Sequence, residues 1–230
     1  MKAVIFDMDG TLFQTDRILE TSLEDTFEQL RLQGEWEGET PLQLYRDIMG
    51  VPLPKYGKHC FLTALGQQES IVISIFLERL IRNIGEGLGA LYPNAVNVLE
   101  KLKANDIQIF VASNGLKKYL QSIVSHYSLD RFVAGTYSIE QIETLSKSDL
   151  VKTILNKHFV TEAIMIGDRM SDIQAAKDNN LLSIGCRFDF AQEEELQFAD
   201  IVIEDLSEVP QIVTHHFQLQ SFSTYSLEEG

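Results

Sequence analysis

The chain has 230 residues, of which 44% are hydrophobic and 23% charged, enough for one large domain or for a core with a smaller inserted domain. Its formal net charge of −15 argues against general nucleic-acid binding, which needs a basic surface, and against docking on anionic membranes. An anionic substrate would have to be held by local positive charge or by a metal ion.

The cysteines and the amino terminus indicate an ordinary cytoplasmic protein. Cys60 and Cys186 form neither a metal-binding spacing nor a disulfide framework, and we expect both to be buried thiols. The apolar run at the amino terminus is interrupted by Asp7 and Asp9, which does not fit a signal peptide. No apolar segment is long enough to span a bilayer.

The first element is a short apolar run over residues 3–6, which predicts a buried strand. Asp7 and Asp9 follow two residues apart, so on an extended backbone their carboxylates lean to one side. Gly10 permits a sharp turn, in which Thr11 can hydrogen-bond free backbone groups. Two acids this close repel each other, and a hard cation such as Mg²⁺ would relieve the repulsion. A turn with solvated aspartates is the alternative that this segment alone leaves open.

The following segment has helical rather than strand-like patterning. Its apolar residues recur at helical spacing from Asp16 to about Gly34, and we expect Asp16 to be the N-cap. The simplest account is a helical insertion of residues 15–88, after which three glycines mark a hinge-like return to the core. Further helices are predicted to begin at Thr40–Pro41 and to span Tyr56–Leu65 and Ser70–Ile84. The three glycines after the insertion are Gly85, Gly87 and Gly89.

From residue 91 onward, helices and strands alternate, which predicts a doubly wound parallel α/β sheet built from residues 1–14 and 89–217. Residues 218–230 are polar and acidic and are expected to form a frayed tail. The predicted strands are 107–112, about 132–134, 163–166, 182–185 and 201–203. One predicted helix begins at Pro93, and the others span Lys117–Tyr127, Ser146–Phe159, Ser171–Asp178 and Leu206–His215. The last helix is expected to end in solvent at His215–His216.

Polar side chains follow three of these strands. Asp7 and Asp9 end the first strand, Ser113 and Asn114 end the second, and Asp168 ends the fourth. In open α/β sheets, ligands bind beyond the carboxyl ends of the strands, so these side chains should converge on one crevice. A strand-end hydroxyl followed by the amides of a helix suits phosphate oxygens, although a plain N-cap serine would look the same.

Taken together, four segments resemble the signature motifs of the haloacid dehalogenase-like (HAD) hydrolase superfamily, in the family's order. They are Val4–Thr11, Val111–Asn114, Lys147 at a helix start, and Gly167–Asp172. The resemblance implies a Rossmann-like core with an inserted α-helical cap, as in phosphoglycolate phosphatase and β-phosphoglucomutase. Because the dehalogenase branch lacks an acid at the position of Asp9, phosphoryl transfer is preferred over carbon–halogen cleavage.

The resemblance also implies roles for the acids. Asp7 would attack phosphorus and form an aspartyl-phosphate. Asp9 would protonate the leaving alkoxide and then deprotonate the hydrolytic water. Mg²⁺ would be held by Asp7, by the backbone carbonyl of Asp9 and by Asp168. Asp172 would orient a metal-bound water or the motif lysine instead of binding the metal directly.

The remaining motif residues would bind substrate. By the resemblance, Ser113 and Lys147 hold the phosphoryl oxygens, with Asn114 assisting and Thr11 beside them. A lysine in a first helical turn opposes the helix dipole, and a solvated surface lysine is the ordinary alternative. Lys152, a turn further into the helix, is the weaker rival for this role.

The insertion at 15–88 matches the family's cap, which closes over the site and implies a small phosphorylated metabolite as substrate. Arg46, and less strongly Lys55 or Lys58, could meet an anionic substrate tail, although surface solvation explains Arg46 equally well and the lysines better. Phosphoglycolate, sugar phosphates, nucleoside monophosphates and pyrophosphate remain open, as does the choice between monomer and dimer.

Two other functions are compatible with the motifs. A phosphomutase of the β-phosphoglucomutase type shares all four motifs and the cap, and differs in water access and in contacts made by the cap. A non-catalytic binding protein on the same scaffold is the third reading. It is disfavoured because Asp7, Asp9, Ser113, Lys147 and Asp168 are all intact.

Overall fold

The structure, a computed structural model, describes residues 1–43, 69–189 and 191–225. These residues form a six-stranded parallel sheet in the order β3-β2-β1-β4-β5-β6, which confirms the predicted doubly wound architecture. The strands are β1 (Lys2–Phe6), β2 (Gln108–Ser113), β3 (Gly135–Ser138), β4 (Glu162–Gly167), β5 (Leu182–Cys186) and β6 (Ile201–Ile203).

Helices cover both faces of this sheet. They are α1 (Asp16–Leu32), α2 (Glu69–Gly85), α3 (Ala95–Ala104), α4 (Lys117–His126), α5 (Lys147–Lys157), α6 (Met170–Asp178), α7 (Glu193–Leu196) and α8 (Val209–Tyr225). Short 3-10 turns lie at Leu129–Arg131, Ile139–Gln141 and Leu206–Glu208. None of the helices in the described ranges is long and apolar enough to cross a lipid bilayer.

The central strand β1 is apolar throughout because it is buried on both faces. Successive side chains of a strand point to opposite faces, so Val4 and Phe6 pack into one core cluster, and Ala3 and Ile5 into the other. The first cluster contains side chains from α1, α2, α3, α4 and α8. The second contains side chains from α5 and α6.

Register between the strands decides which side chains meet at the carboxyl edge. Phe6 pairs with Val111 of β2 and with Ile166 of β4. The Asp7 backbone N–H donates to the Ile166 carbonyl at 2.8 Å, which extends the ladder by one residue. The residues directly after Phe6, Val111 and Ile166 therefore lie level with one another at one edge of the sheet.

The predicted insertion begins and ends with two helices that pack against each other, α1 and α2. Asn83 of α2 donates from Nδ2 to Ser22 Oγ of α1 at 2.8 Å, and both residues are buried. The predicted helix over 56–65, most of the helix predicted from Thr40–Pro41, and Arg46, Lys55, Lys58 and Cys60 lie outside the described residues.

Two sequence predictions at element ends were wrong. Helix α1 begins at Asp16 itself and follows Thr15, whose hydroxyl bonds to a carboxylate of the candidate site instead of capping the helix. The third strand lies at Gly135–Ser138, because the apolar residues Phe132 and Val133 close a turn by donating backbone N–H groups to Leu129 O.

The carboxyl-terminal helix is longer than predicted. Val209, Val213 and Phe217 recur every four residues and are buried against the core, which anchors α8 past the predicted end at His215. Residues 218–225 of the predicted tail are therefore helical, and His215 and His216 lie within the helix and not at its end. Cys186 is a buried free thiol, as expected, and burial raises its pKa.

Candidate active site

Three carboxylates meet at the carboxyl edge of the sheet. Asp7 follows β1, Asp168 follows β4, and Asp172 lies in the first turn of α6. One carboxylate oxygen from each lies within 4.8 Å of the others, and all three residues are buried. Strands β1 and β4 are also where the strand order reverses, which is the switch point at which open α/β sheets bind ligands.

Lys147 lies between two of these acids. Its Nζ lies 2.8 Å from Asp7 Oδ1, and it also contacts Asp172 Oδ1. The lysine is only 4% exposed, whereas Lys152 on the same helix is exposed to solvent. Burial alone would lower the pKa of Lys147, but the Asp172 and Asp7 carboxylates outweigh it, so the pKa is raised and the ammonium stays charged.

One lysine does not balance three buried acids. Burial raises the pKa of Asp7 to about 7, with Lys147 opposing the shift and Asp172 and Asp9 adding to it. The pKa of Asp168 is raised well above its usual value by burial and by repulsion from Asp172 and Asp7. A hard divalent cation with oxygen ligands would relieve this excess negative charge, so the donor set fits Mg²⁺ chemically.

Asp9 accepts two hydroxyl hydrogen bonds on the same oxygen. Thr15 Oγ1 and Tyr119 Oη each lie 2.5 Å from Asp9 Oδ1. Desolvation raises the pKa of Asp9, and hydrogen bonds from Thr15, Tyr119 and Ser113 oppose the rise. The pKa of Tyr119 is raised well above its usual value by burial and by the Asp9 charge, so the phenol keeps its proton and donates.

The remaining motif residues line the same edge. Ser113 is buried at the end of β2, and its Oγ accepts the Gly115 backbone N–H at 2.9 Å. Asn114 is also buried, and its Nδ2 lies 3.5 Å from Ser171 Oγ. The Thr11 hydroxyl donates to Asp168 Oδ1 at 3.2 Å.

Two glycines allow the acids to approach the backbone closely. Gly10 has φ +71°, and a Cβ there would lie 2.3 Å from Asp168 Oδ2. A Cβ on Gly167 would lie 2.1 Å from Asp172 Cγ. Contacts this short are impossible for real side chains, so both motif positions require glycine for the acids to take up these positions.

Asp172 and Glu195 hold the loop that carries Asp168. Asp172 Oδ2 accepts the Arg169 backbone N–H at 3.1 Å, while its other oxygen contacts Lys147. Glu195 Oε2 accepts from Arg169 Nε at 3.0 Å and from the Met170 backbone N–H at 2.6 Å. Asp172 thus contacts both the motif lysine and the loop that carries Asp168.

Three contributors were missed from sequence: Thr15, Tyr119 and Glu195. Thr15 directly precedes Asp16, the expected N-cap of a predicted helix, so no pattern in the sequence marks it. Tyr119 lies on the apolar face of α4, which predicts a core residue, and Glu195 lies in an acidic run typical of a solvated surface. The roles of Tyr119 and Glu195 arise from contacts between distant parts of the chain, for which no local spacing exists. Thr15 is only six residues from Asp9, but it lies in an irregular loop that has no periodic pattern.

The strand order and the buried acid–lysine cluster define an α/β enzyme with its site at the switch point of the sheet. The chain belongs to the haloacid dehalogenase-like hydrolase family, whose family model matches residues 4–186. The family membership predicted from the four motifs is thereby confirmed.

Relatives and solved structures agree with this assignment. The chain is 26% identical over 200 residues to a 5′-nucleotidase of Pseudomonas aeruginosa, covering 84% of this chain and 86% of the relative. It is 22% identical to a phosphoglycolate phosphatase of Vibrio parahaemolyticus, covering 93% and 96%. CbbY from Rhodobacter sphaeroides, solved in complex with phosphate, has the same fold, with a TM-score of 0.75 at 18% identity over 91% of this chain and 96% of that chain.

Proposed function

We propose that this protein is a magnesium-dependent phosphatase that hydrolyses a small phosphomonoester through an aspartyl-phosphate on Asp7. The observation that carries the proposal is the pairing of a strand-end carboxylate with a buried ammonium group, 2.8 Å apart, inside an acid cluster. Relatives named phosphoglycolate phosphatase and 5′-nucleotidase support the phosphomonoester chemistry, and a relative named pyrophosphatase supports hydrolysis at phosphorus more broadly.

Mg²⁺ would be held by the Asp7 and Asp168 carboxylates and by the backbone carbonyl of Asp9. When bound, it would screen the repulsion between the acids and the substrate and polarise the phosphoryl group. Asp172 belongs to the same cluster, but its oxygens already contact Lys147 and the Arg169 N–H, which supports the orienting role.

The protein side chains then divide the work. Asp7 is fixed by Lys147 and by the Met8 backbone N–H, which donates to Asp7 Oδ1 at 2.8 Å, so its carboxylate is held for attack on phosphorus. Ser113, Asn114 and Lys147 would hold the phosphoryl oxygens. Asp9 would give a proton to the leaving alkoxide and then take one from the hydrolytic water.

The proposed enzyme has a core domain and an inserted cap domain. We assign residues 1–14 and 89–217 to the core, with α8 continuing to Tyr225, and residues 15–88 to a helical cap that closes over the site. The packing of α1 on α2 supports one compact insertion. A closed cap favours a small metabolite as substrate, and Arg46 would be its first candidate contact with an anionic tail.

The direct test is phosphate release from p-nitrophenyl phosphate, with and without Mg²⁺, for the wild type and Asp7→Asn. We expect slow, metal-dependent turnover that Asp7→Asn abolishes. Asp130→Asn, the same change at an exposed aspartate, should leave turnover unchanged. Turnover that survives Asp7→Asn would rule out the proposed nucleophile.

The phosphomutase alternative uses every side chain named above, and no contact among the described residues favours it. A sugar monophosphate supplied with its bisphosphate separates the two reactions. Phosphate release supports the hydrolase, whereas isomerisation without phosphate release would contradict it.

A further inference from the structure

The Asp9 carboxylate needs support from outside its own segment. Asp9 lies in the loop between β1 and α1, and Gly10 beside it has a left-handed backbone. A carboxyl group that moves a proton must lie within hydrogen-bond reach of the reacting oxygen, so a small displacement weakens catalysis strongly.

Two hydroxyl groups supply this support, one from the same loop and one from a distant helix. Thr15 Oγ1, just before α1, and Tyr119 Oη, on α4, both donate to Asp9 Oδ1 at 2.5 Å. Tyr119 is 5% exposed and its ring is packed into the main core cluster, so its hydroxyl has little freedom to move. Short, buried hydrogen bonds to one carboxyl oxygen hold the group in place more firmly than solvent contacts would.

We propose that Tyr119 is a positioning residue that fixes the Asp9 carboxyl group for proton transfer to the leaving oxygen. The inference rests on the proposed phosphatase function and adds a side chain that none of the four motifs contains. Tyr119 lies in the helix that follows Ser113, so the proposed phosphoryl contact and the support for the acid belong to one strand–helix unit. That unit sets the distance between the phosphoryl group and the proton donor.

Leaving groups of different basicity expose such a role. An alkoxide is a poor leaving group and depends on protonation as the bond to phosphorus breaks. The p-nitrophenolate ion is stable without a proton and hardly needs an acid. For both substrates, kcat/KM reports the step that forms the aspartyl-phosphate, so the ratio of the two values measures how well Asp9 delivers its proton.

The experiment measures kcat/KM of the wild type and of Tyr119→Phe for two substrates. One is p-nitrophenyl phosphate. The other is the alkyl phosphomonoester that the wild type hydrolyses fastest among 2-phosphoglycolate, glycerol 3-phosphate and glucose 6-phosphate. Tyr119→Phe should lower the alkyl value at least tenfold, a part of the 10²–10⁴-fold typical of general acids, and the aryl value by less than about twofold. The matched control is Tyr127→Phe, which removes a buried hydroxyl that has no hydrogen-bond partner among the described residues and should change neither value.

Equal losses on both substrates, or no loss, would overturn the positioning role while leaving the phosphatase proposal intact. A wild type without turnover on any phosphomonoester would overturn the phosphatase proposal and this inference with it. Circular dichroism and thermal unfolding check that each variant is folded. If Tyr119→Phe does not fold, Thr15→Val removes the second hydroxyl donor to the same Asp9 oxygen. Thr15→Val should then also lower kcat/KM for the alkyl substrate much more than for the aryl substrate. Equal effects on the two substrates would count against positioning of Asp9 by these hydroxyl groups.

Discussion

At the scale of single residues, the acid cluster is arranged for chemistry at the expense of stability. Asp7, Asp168 and Asp172 are buried together with one ammonium group, and burial and mutual repulsion raise the pKa of both Asp7 and Asp168. Groups with strongly perturbed pKa values that share one cleft are typical of catalytic sites. The cluster should therefore destabilise the protein whenever no cation is bound.

Asp7→Asn tests this directly, because it removes one charge and keeps the shape of the side chain. The folded-state pKa of Asp7, about 7, lies above the ordinary value of 3.8 for an aspartate. A raised folded-state pKa means that protonated Asp7 favours the folded state. This contribution to the free energy of unfolding is fully present below about pH 4 and is lost as the pH rises through about 7. In metal-free protein at pH 8, we expect Asp7→Asn to have a higher free energy of unfolding than the wild type.

Urea unfolding at pH 5 and pH 8, with a chelator present, measures the effect. The advantage of Asp7→Asn should shrink at pH 5, where the wild-type carboxyl is largely protonated. Asp130→Asn, at the surface, should match the wild type at both pH values. An Asp7→Asn protein that is less stable than the wild type at pH 8 would show that Lys147 more than compensates the cluster.

At the scale of secondary structure, helix α5 ends in an unfavourable conformation. Phe159 follows the carboxyl end of α5 with φ +52°, a left-handed conformation that suits glycine, and its side chain is 84% exposed. The turn is nevertheless regular, since Val160 N–H donates to Leu155 O at 2.9 Å. Phenylalanine at this position is strained and gains little from burial in return.

Phe159→Gly should therefore raise the free energy of unfolding by about 1 kcal/mol, the usual cost of a left-handed non-glycine residue. Leu32 supplies the matched control, because it is equally exposed at 84% but is the last residue of helix α1. Leu32→Gly should give no such gain and should destabilise the protein. Chemical denaturation of both variants gives the comparison, and a loss of stability in Phe159→Gly would refute the strain argument.

The same elements show what the sequence could predict. Apolar runs located β1, β2, β4, β5 and β6 within a residue or two, because strands buried in a parallel sheet are apolar. The edge strand β3 was misplaced, since its residues Gly135–Ser138 are small or polar while the apolar residues just before it form a turn. The motif residues at strand ends were predictable because they directly follow these apolar runs. Tyr119 and Glu195 were not, because only tertiary contacts bring them to the site.

At the scale of the whole molecule, the sheet brings into one place acids that are far apart in the chain. Asp7 and Asp168 come together only because β1 and β4 are neighbours in register, which places Asp7 level with Gly167, the residue before Asp168. A cation that binds both would connect the two halves of the sheet at its switch point. Ligands that bind only the folded state stabilise it, by about 1.4 kcal/mol when present at tenfold their dissociation constant.

Mg²⁺ should therefore raise the midpoint of thermal unfolding, by about 3–6 °C for a chain of this size at such a concentration. Asp168→Asn removes one proposed ligand and part of the repulsion, so this variant should start from a higher metal-free midpoint and gain little from Mg²⁺. Asp130→Asn should respond to Mg²⁺ as the wild type does. An equal Mg²⁺ response in Asp168→Asn would place the cation elsewhere on this acidic protein, because non-specific binding to a chain of net charge −15 does not depend on one buried carboxylate.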